Sequence, residues 1–138
     1  MLHFLDTNIL LYAISPHPEE AAKRARADAL LDRVDGALSV QVLQEFYVQA
    51  TRPTRPGRLP HDLAVGLVRA WTRFRVQEMT LPVLEAAPEI KAAHGFSYWD
   101  SAIIAAARAL GCSRLYSEDM SSGQRFGPVT VLNPFQQK

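Results

Sequence analysis

The chain has 138 residues, 48% hydrophobic and 21% charged, with a net charge of +1. That length fits one folded domain, residues 1–138, able to bury roughly two-thirds of its unfolded surface without covalent staples. Near-neutral charge gives no global field that would single out a polyanion. The one cysteine, Cys112, excludes an internal disulfide and a thiolate-rich metal site, and reads as a buried, inert thiol. No apolar run is long enough to span a bilayer, and Asp6 interrupts the N-terminal apolar stretch too early for a secretory signal. The expected compartment is the cytoplasm, with no membrane partner.

In chain order, Leu2–Leu5 reads as a buried strand that ends on Asp6-Thr7-Asn8, with a helix opening directly behind it. In parallel sheets the ligand crevice lies outside the carboxyl ends of strands, where strand order reverses. Asp6 is therefore a candidate ligand or base; the alternative is that Asp6 or Asn8 simply caps the helix. Ser15-Pro16-His17-Pro18 breaks the first helix, and a second is predicted from Pro18 to about Val34. Its apolar Ala22, Ala25, Ala29, Leu30 and Val34 stand against Lys23, Arg24, Arg26 and Arg33, a basic face that reads as solvated surface. After the turn at Asp35-Gly36, a short second strand, Ala37–Val40, leads into a helix capped by Ser39 and running to about Arg52. Leu43, Phe46, Tyr47 and Ala50 form its core-facing stripe, so Glu45 sits among apolar neighbours.

Residues 51–60 carry three prolines and a glycine and read as irregular. A helix over His61–Phe74, a third strand over Arg75–Thr80 and a helix over Pro82–His94 follow. Pro88 should remove a backbone bond and kink or split the last of these, and Gly95 should stop it. Ser97 caps a strong helix from Asp100 to Leu110. A fourth strand, Arg114–Ser117, ends at Glu118-Asp119, and a loop with Ser121, Ser122 and Gly123 leads to a fifth, Val129–Leu132. This alternation predicts an α/β three-layer sandwich around a central parallel sheet of about five strands.

On that map Asp6 ends the first strand, Asp119 follows the fourth, Asp100 lies in the first turn of the intervening helix, and Glu45 lies two turns into another. If the first and fourth strands are neighbours, the four acids converge on one crevice. Each acid has a plainer use: Asp100 as a cap, Asp119 in a turn, Glu45 as an arginine's partner. Together, clustered carboxylates repel each other and must take up protons or cations. Oxygen-only donors suit Mg²⁺ or Mn²⁺, and such sites most often serve phosphoryl transfer. His3, His17, His61 and His94 show no ligand spacing. Arg52, Arg55 and Arg58, with Arg69, Arg73 and Arg75 behind them, could hold a phosphate backbone or form a solvated loop. Trp71, Trp99 and Tyr98 could stack bases or fill the core.

Asp6-Thr7-Asn8 after a strand, Glu45 within Val42–Phe46, Asp100 within Ser97–Ser101 and Asp119 within Tyr116–Met120 resemble the four acidic motifs of PIN domains. The likeness spans essentially the whole chain and is nearest to the VapC-type ribonuclease toxins of toxin–antitoxin pairs. The resemblance implies a PIN-like sandwich, Mg²⁺ or Mn²⁺, cleavage of structured RNA, a homodimer, and a small antitoxin that blocks the cleft. It makes Asp6, Glu45, Asp100 and Asp119 the catalytic acids. Asp6, Asp100 and Asp119 would be metal ligands, and Glu45 a direct or water-bridged ligand or the residue that orients water. Asn8 and Ser117 would be supports that orient the carboxylates. Glu118 stands beside Asp119 as a second candidate for the fourth acid. A phospho-receiver domain is a poor rival, because the third strand ends without an aspartate and no lysine closes the fifth. A catalytically silent PIN-like module that binds RNA or a partner is the other.

Overall fold

The structure, a computed structural model, describes residues 1–136. Its strands are β1 (His3–Leu5), β2 (Gly36–Ser39), β3 (Arg75–Gln77), β4 (Arg114–Tyr116), β5 (Arg125–Phe126) and β6 (Val129–Leu132). They form one sheet in the order β3-β2-β1-β4-β6-β5. Five strands run parallel, as the alternating pattern predicts, and β5 pairs antiparallel with β6 at the edge. The two-residue β5 lies in the stretch that reads as a loop: two residues carry no periodicity, and its pairing follows from the turn at Gly127-Pro128.

The helices are α1 (Thr7–Ala13), α2 (Ala21–Leu31), α3 (Val40–Ala50), α4 (His61–Trp71), α5 (Leu81–His94) and α6 (Tyr98–Ala109). Right-handed crossovers from β1 to β2 to β3 place α1–α4 on one face; the return from β3 to β4, beyond β1, places α5 and α6 on the other. A central parallel strand so covered must be apolar throughout. Phe4, Leu5, Ala37, Leu38 and Leu115 are accordingly buried. Strand order reverses at β1, which has β2 on one side and β4 on the other. The carboxyl ends of β1 and β4 therefore border the crevice.

The predicted second helix needs correction. Pro18–Glu20 is a single 3-10 turn, α2 ends at Leu31, and Val34 is 99% exposed. Its buried residues are Ala27, Leu30 and Leu31, whereas Ala22, Ala25 and Ala29 face outward. Alanine marks an apolar stripe weakly, and the true stripe is shifted around the helix. Nor is the basic face merely solvated. Lys23 binds Glu118, Arg24 donates to the Ser15 carbonyl and Arg26 to that of Pro134. Pro88 does not split α5, which runs unbroken from Leu81 to His94 and is stopped by Gly95. Pro88 and Leu84, whose carbonyl loses its usual partner, are both on the exposed side, where water can replace the missing bond.

Cys112 is buried and its thiol is pushed up to about 11 by burial, so it is inert as expected. Ser39 caps α3 as predicted, its hydroxyl accepting from the Val42 amide at 3.2 Å. Both residues are fully buried, so water cannot replace this bond. Ser39→Ala should therefore lower stability by about 1–2 kcal/mol. Chemical denaturation should show a lower midpoint with an unchanged m-value.

Candidate active site

Register brings the acids together. Leu5 and Tyr116 are partners in the β1–β4 ladder, and the Asp6 amide donates to the Tyr116 carbonyl at 3.0 Å. The next residues, Asp6 and Ser117, thus emerge side by side at the carboxyl ends of the strands. Ser117 Oγ donates to Asp6 Oδ2 at 2.7 Å, and the Thr7 amide donates to Asp6 Oδ1 at 2.7 Å. Asp6 is the N-cap of α1 as well as a member of the cleft, so the two readings of this residue coexist. Ser117 Oγ in turn accepts from the Asp119 amide at 3.2 Å and lies 3.4 Å from Asn8 Nδ2. Asn8 Nδ2 also donates to Asp119 Oδ2 at 3.0 Å, while its Oδ1 accepts from the Glu118 amide at 3.4 Å.

Glu45 reaches the cleft from α3, where Thr7 Oγ1 donates to its Oε1 at 2.9 Å. Thr7 is a residue the sequence reading leaves without a role. The only signal was its place between Asp6 and Asn8. Asp100 reaches the cleft from the first turn of α6; Ser97, not Asp100, is the cap, accepting from the Asp100 amide at 3.1 Å. Asp6, Glu45, Asp100 and Asp119 together line a cleft of about 180 Å³, with Thr7, Asn8, Leu11, Gln49 and Ile103 completing its wall. None of the four histidines lines it.

Glu118 points elsewhere. Its carboxylate accepts from Tyr12 and from Lys23 Nζ at 2.6 Å, which ties the loop after β4 to α1 and α2. Burial opposes ionisation of Glu118, but the bonds from Lys23 and Tyr12 prevail and hold its pKa below the ordinary value. The backbone of residues 51–60 is not loose either. The Leu59 amide returns to the Ala50 carbonyl at 2.8 Å, and a Cβ on Gly57 would stand 2.6 Å from Pro16 Cγ. Arg55 shares a pocket with Asn8, Tyr12, Glu118 and Asp119, and Arg52 lies on the opposite side beside Glu45. Arg58 is exposed and lines neither pocket.

A family model described as "PIN domain" matches residues 3–121. The chain belongs to the PIN-domain family. No curated protein matches it. Among solved structures, this PIN domain is similar to the Mycobacterium tuberculosis toxin VapC20, described as cleaving the sarcin–ricin loop, at 23% identity and a TM-score of 0.67, covering 85% of this chain and 89% of that one. It is similar to a toxin–antitoxin complex from Klebsiella pneumoniae at 17% identity and TM-score 0.72, covering 98% and 99%. FitAcB from Neisseria gonorrhoeae matches at 20% and 0.71, covering 99% and 100%. At these identities the likeness speaks to the fold.

The donor set of the PIN domain fits a hard divalent cation: four carboxylates around one cleft, with no sulfur or imidazole. Among the described residues no three His, Cys, Asp or Glu side chains stand close enough together to hold a metal ion as they are. The electrostatics agree. Burial pushes the Asp6 carboxyl up to about 7, and the charges of Asp100 and Glu45 add to that against the bonds from Ser117 and Thr7. Asp100 is raised too, by burial first and then by Asp119. Between the unfolded carboxylate range and about 7 the folded chain binds the extra proton, so stability falls as pH rises through that window. In chelator, the melting temperature should therefore drop from pH 5 to pH 8, and Asp6→Asn should flatten the slope. An equally steep profile for the variant, followed by calorimetry, assigns the effect to other groups.

Proposed function

We propose that the protein is a Mg²⁺- or Mn²⁺-dependent endoribonuclease, the toxin of a VapBC-type toxin–antitoxin pair. The observation that carries this reading is the convergence of Asp6, Glu45, Asp100 and Asp119 on one cleft at the strand-order reversal. Similarity to a solved toxin–antitoxin complex supports an antitoxin partner; a small antitoxin that covers the cleft, a homodimeric toxin and action in the cytoplasm complete the proposal. Asp6, Asp100 and Asp119 would hold the ion. When bound, Mg²⁺ or Mn²⁺ activates water and neutralises phosphate charge.

The chain's own residues do the rest. Ser117 and Thr7 fix both oxygens of Asp6, and Asn8 fixes Asp119, so the carboxylates face the cleft in set orientations. Glu45, steadied by Thr7, orients the attacking water and takes up its proton. Water attacks phosphorus in line with the leaving 3′-oxygen; the new P–O bond forms as the P–O3′ bond breaks, and the departing oxygen takes a proton from solvent water. The products carry a 5′-phosphate and a 3′-hydroxyl, and 2′,3′-cyclic phosphate ends would overturn the mechanism. Arg52 and Arg55 flank the cleft on opposite sides, placed to hold the backbone on either side of the cut.

Asp100→Asn separates this reading from a silent PIN-like binding module. Asparagine keeps the shape and removes one charge from the repulsive cluster. Without metal the variant should melt at the parent's temperature or higher. Mn²⁺ should stabilise the parent but the variant much less, and RNA cleavage should fall by at least about a hundredfold. Parent protein that binds RNA without cutting it in Mn²⁺ is the silent module.

Neutralising Arg52, Arg55 and Arg58 together should weaken RNA binding and flatten its salt dependence, because fewer counterions are released. The slope of log affinity against log salt measures this directly, and an unchanged slope returns the loop to plain surface.

A further inference from the structure

A second pocket, of about 350 Å³, adjoins the acid cleft and shares Glu45 and Gln49 with it; Gln41, Gln44, Val48, Arg52 and Trp99 form the remainder. We propose that this pocket receives one unpaired base of the RNA substrate, stacked on Trp99 and edged by glutamine amides. The proposal rests on the ribonuclease reading and names the part of the substrate that this side of the site grips.

The two tryptophans of the chain have opposite fates. Trp71 is 6% exposed and packs edge-on against Phe46 in the core, whereas Trp99 is 60% exposed. A large apolar ring left in water at the mouth of a pocket is unfavourable on its own account and offers a flat face. It stands one residue before Asp100, in the first turn of α6, with Tyr98 edge-on at 5.0 Å. Gln41 holds this position. Only 4% exposed, it donates through Nε2 to the Trp99 carbonyl at 3.1 Å, fixing the backbone that carries the indole.

The other end of Gln41 is unmet. Its Oε1 is buried and has no hydrogen-bond partner among the described residues. A buried acceptor without a donor is costly. Gln44 and Gln49 add further amides, and Arg52 a cation for the adjoining phosphate. Aromatic stacking plus hydrogen bonds to a base edge is how proteins grip RNA at loops and bulges, where a base is free to leave its helix. A paired base hides both faces and cannot enter. Continuity with the acid cleft brings this pocket within reach of the substrate strand, since a nucleotide next to a phosphate held at Asp100 lies beside Trp99.

The test uses the full chain in chelator, where nothing is cut, with a mixed-sequence single-stranded RNA oligomer and the same oligomer made abasic. The intact oligomer should quench the exposed indole, and Trp99→Ala should weaken its binding by roughly tenfold or more. Binding of the abasic oligomer should change by less than about twofold, and Trp99→Phe should recover most of the loss. In Mn²⁺, Trp99→Ala should raise KM more than it lowers kcat. Parent-like binding of the intact oligomer by Trp99→Ala overturns the proposal, as does an equal loss on both oligomers. Indifference of Trp99 fluorescence to RNA, with quenching by a protein partner instead, also overturns it. A parent that does not cleave in Mn²⁺, yet distinguishes the two oligomers through Trp99, would retire the nuclease reading and leave the base subsite standing.

Discussion

Asp6 is withdrawn from water at the end of the central strand, and a carboxyl group so placed is costly unless its oxygens are bonded. The bonds it receives decide much of the surrounding architecture. Ser117 can reach it only because β4 pairs with β1 in the observed register, and a slip of one residue would send that hydroxyl to the other face of the sheet. Ser117 then governs Asp119 through the backbone, and Asn8 closes the circuit between the two strand ends. Glu45 joins through Thr7. One sheet register thus orients carboxylates that are up to 113 residues apart in the sequence.

The sequence revealed Asp6 well because a buried parallel strand is a dense apolar run and its end is sharp. Asp119 was visible for the same reason after β4, and Ser39 and Ser97 because capping is a local affair. What failed was whatever depends on which side of a helix meets the core. The alanines of α2 carried too little contrast to fix its face, so Val34 was read inward when it lies in solvent. Pro88 looked disruptive because sequence alone does not show that its side of α5 is wet. Trp71 and Trp99 were indistinguishable by residue type; only the packing of Phe46 against one of them separates core from surface.

Glu118 and Asp119 illustrate a further limit. Adjacent acids in the bend after a strand point in different directions, and nothing in the pair itself says which one faces the cleft. The answer lies in α2, from which Lys23 captures Glu118, with its ammonium 4.8 Å from the centre of the Tyr12 ring. A residue read as solvated surface therefore holds an acid 95 positions away out of the cleft.

The segment between α3 and α4 has a bearing on how the protein tolerates change. Its frame is closed by the Leu59–Ala50 backbone bond, by successive turns at Arg52–Arg55 and Arg55–Arg58, and by Gly57 lying on Pro16. None of these ties involves an arginine side chain. The backbone is ordered before any ligand arrives, so its conformational entropy is spent in folding and not again in association. Side chains along this arch can then be exchanged by mutation without rebuilding its shape, whereas Gly57 and Pro16 cannot. Surface chemistry can drift here while the arch keeps its shape.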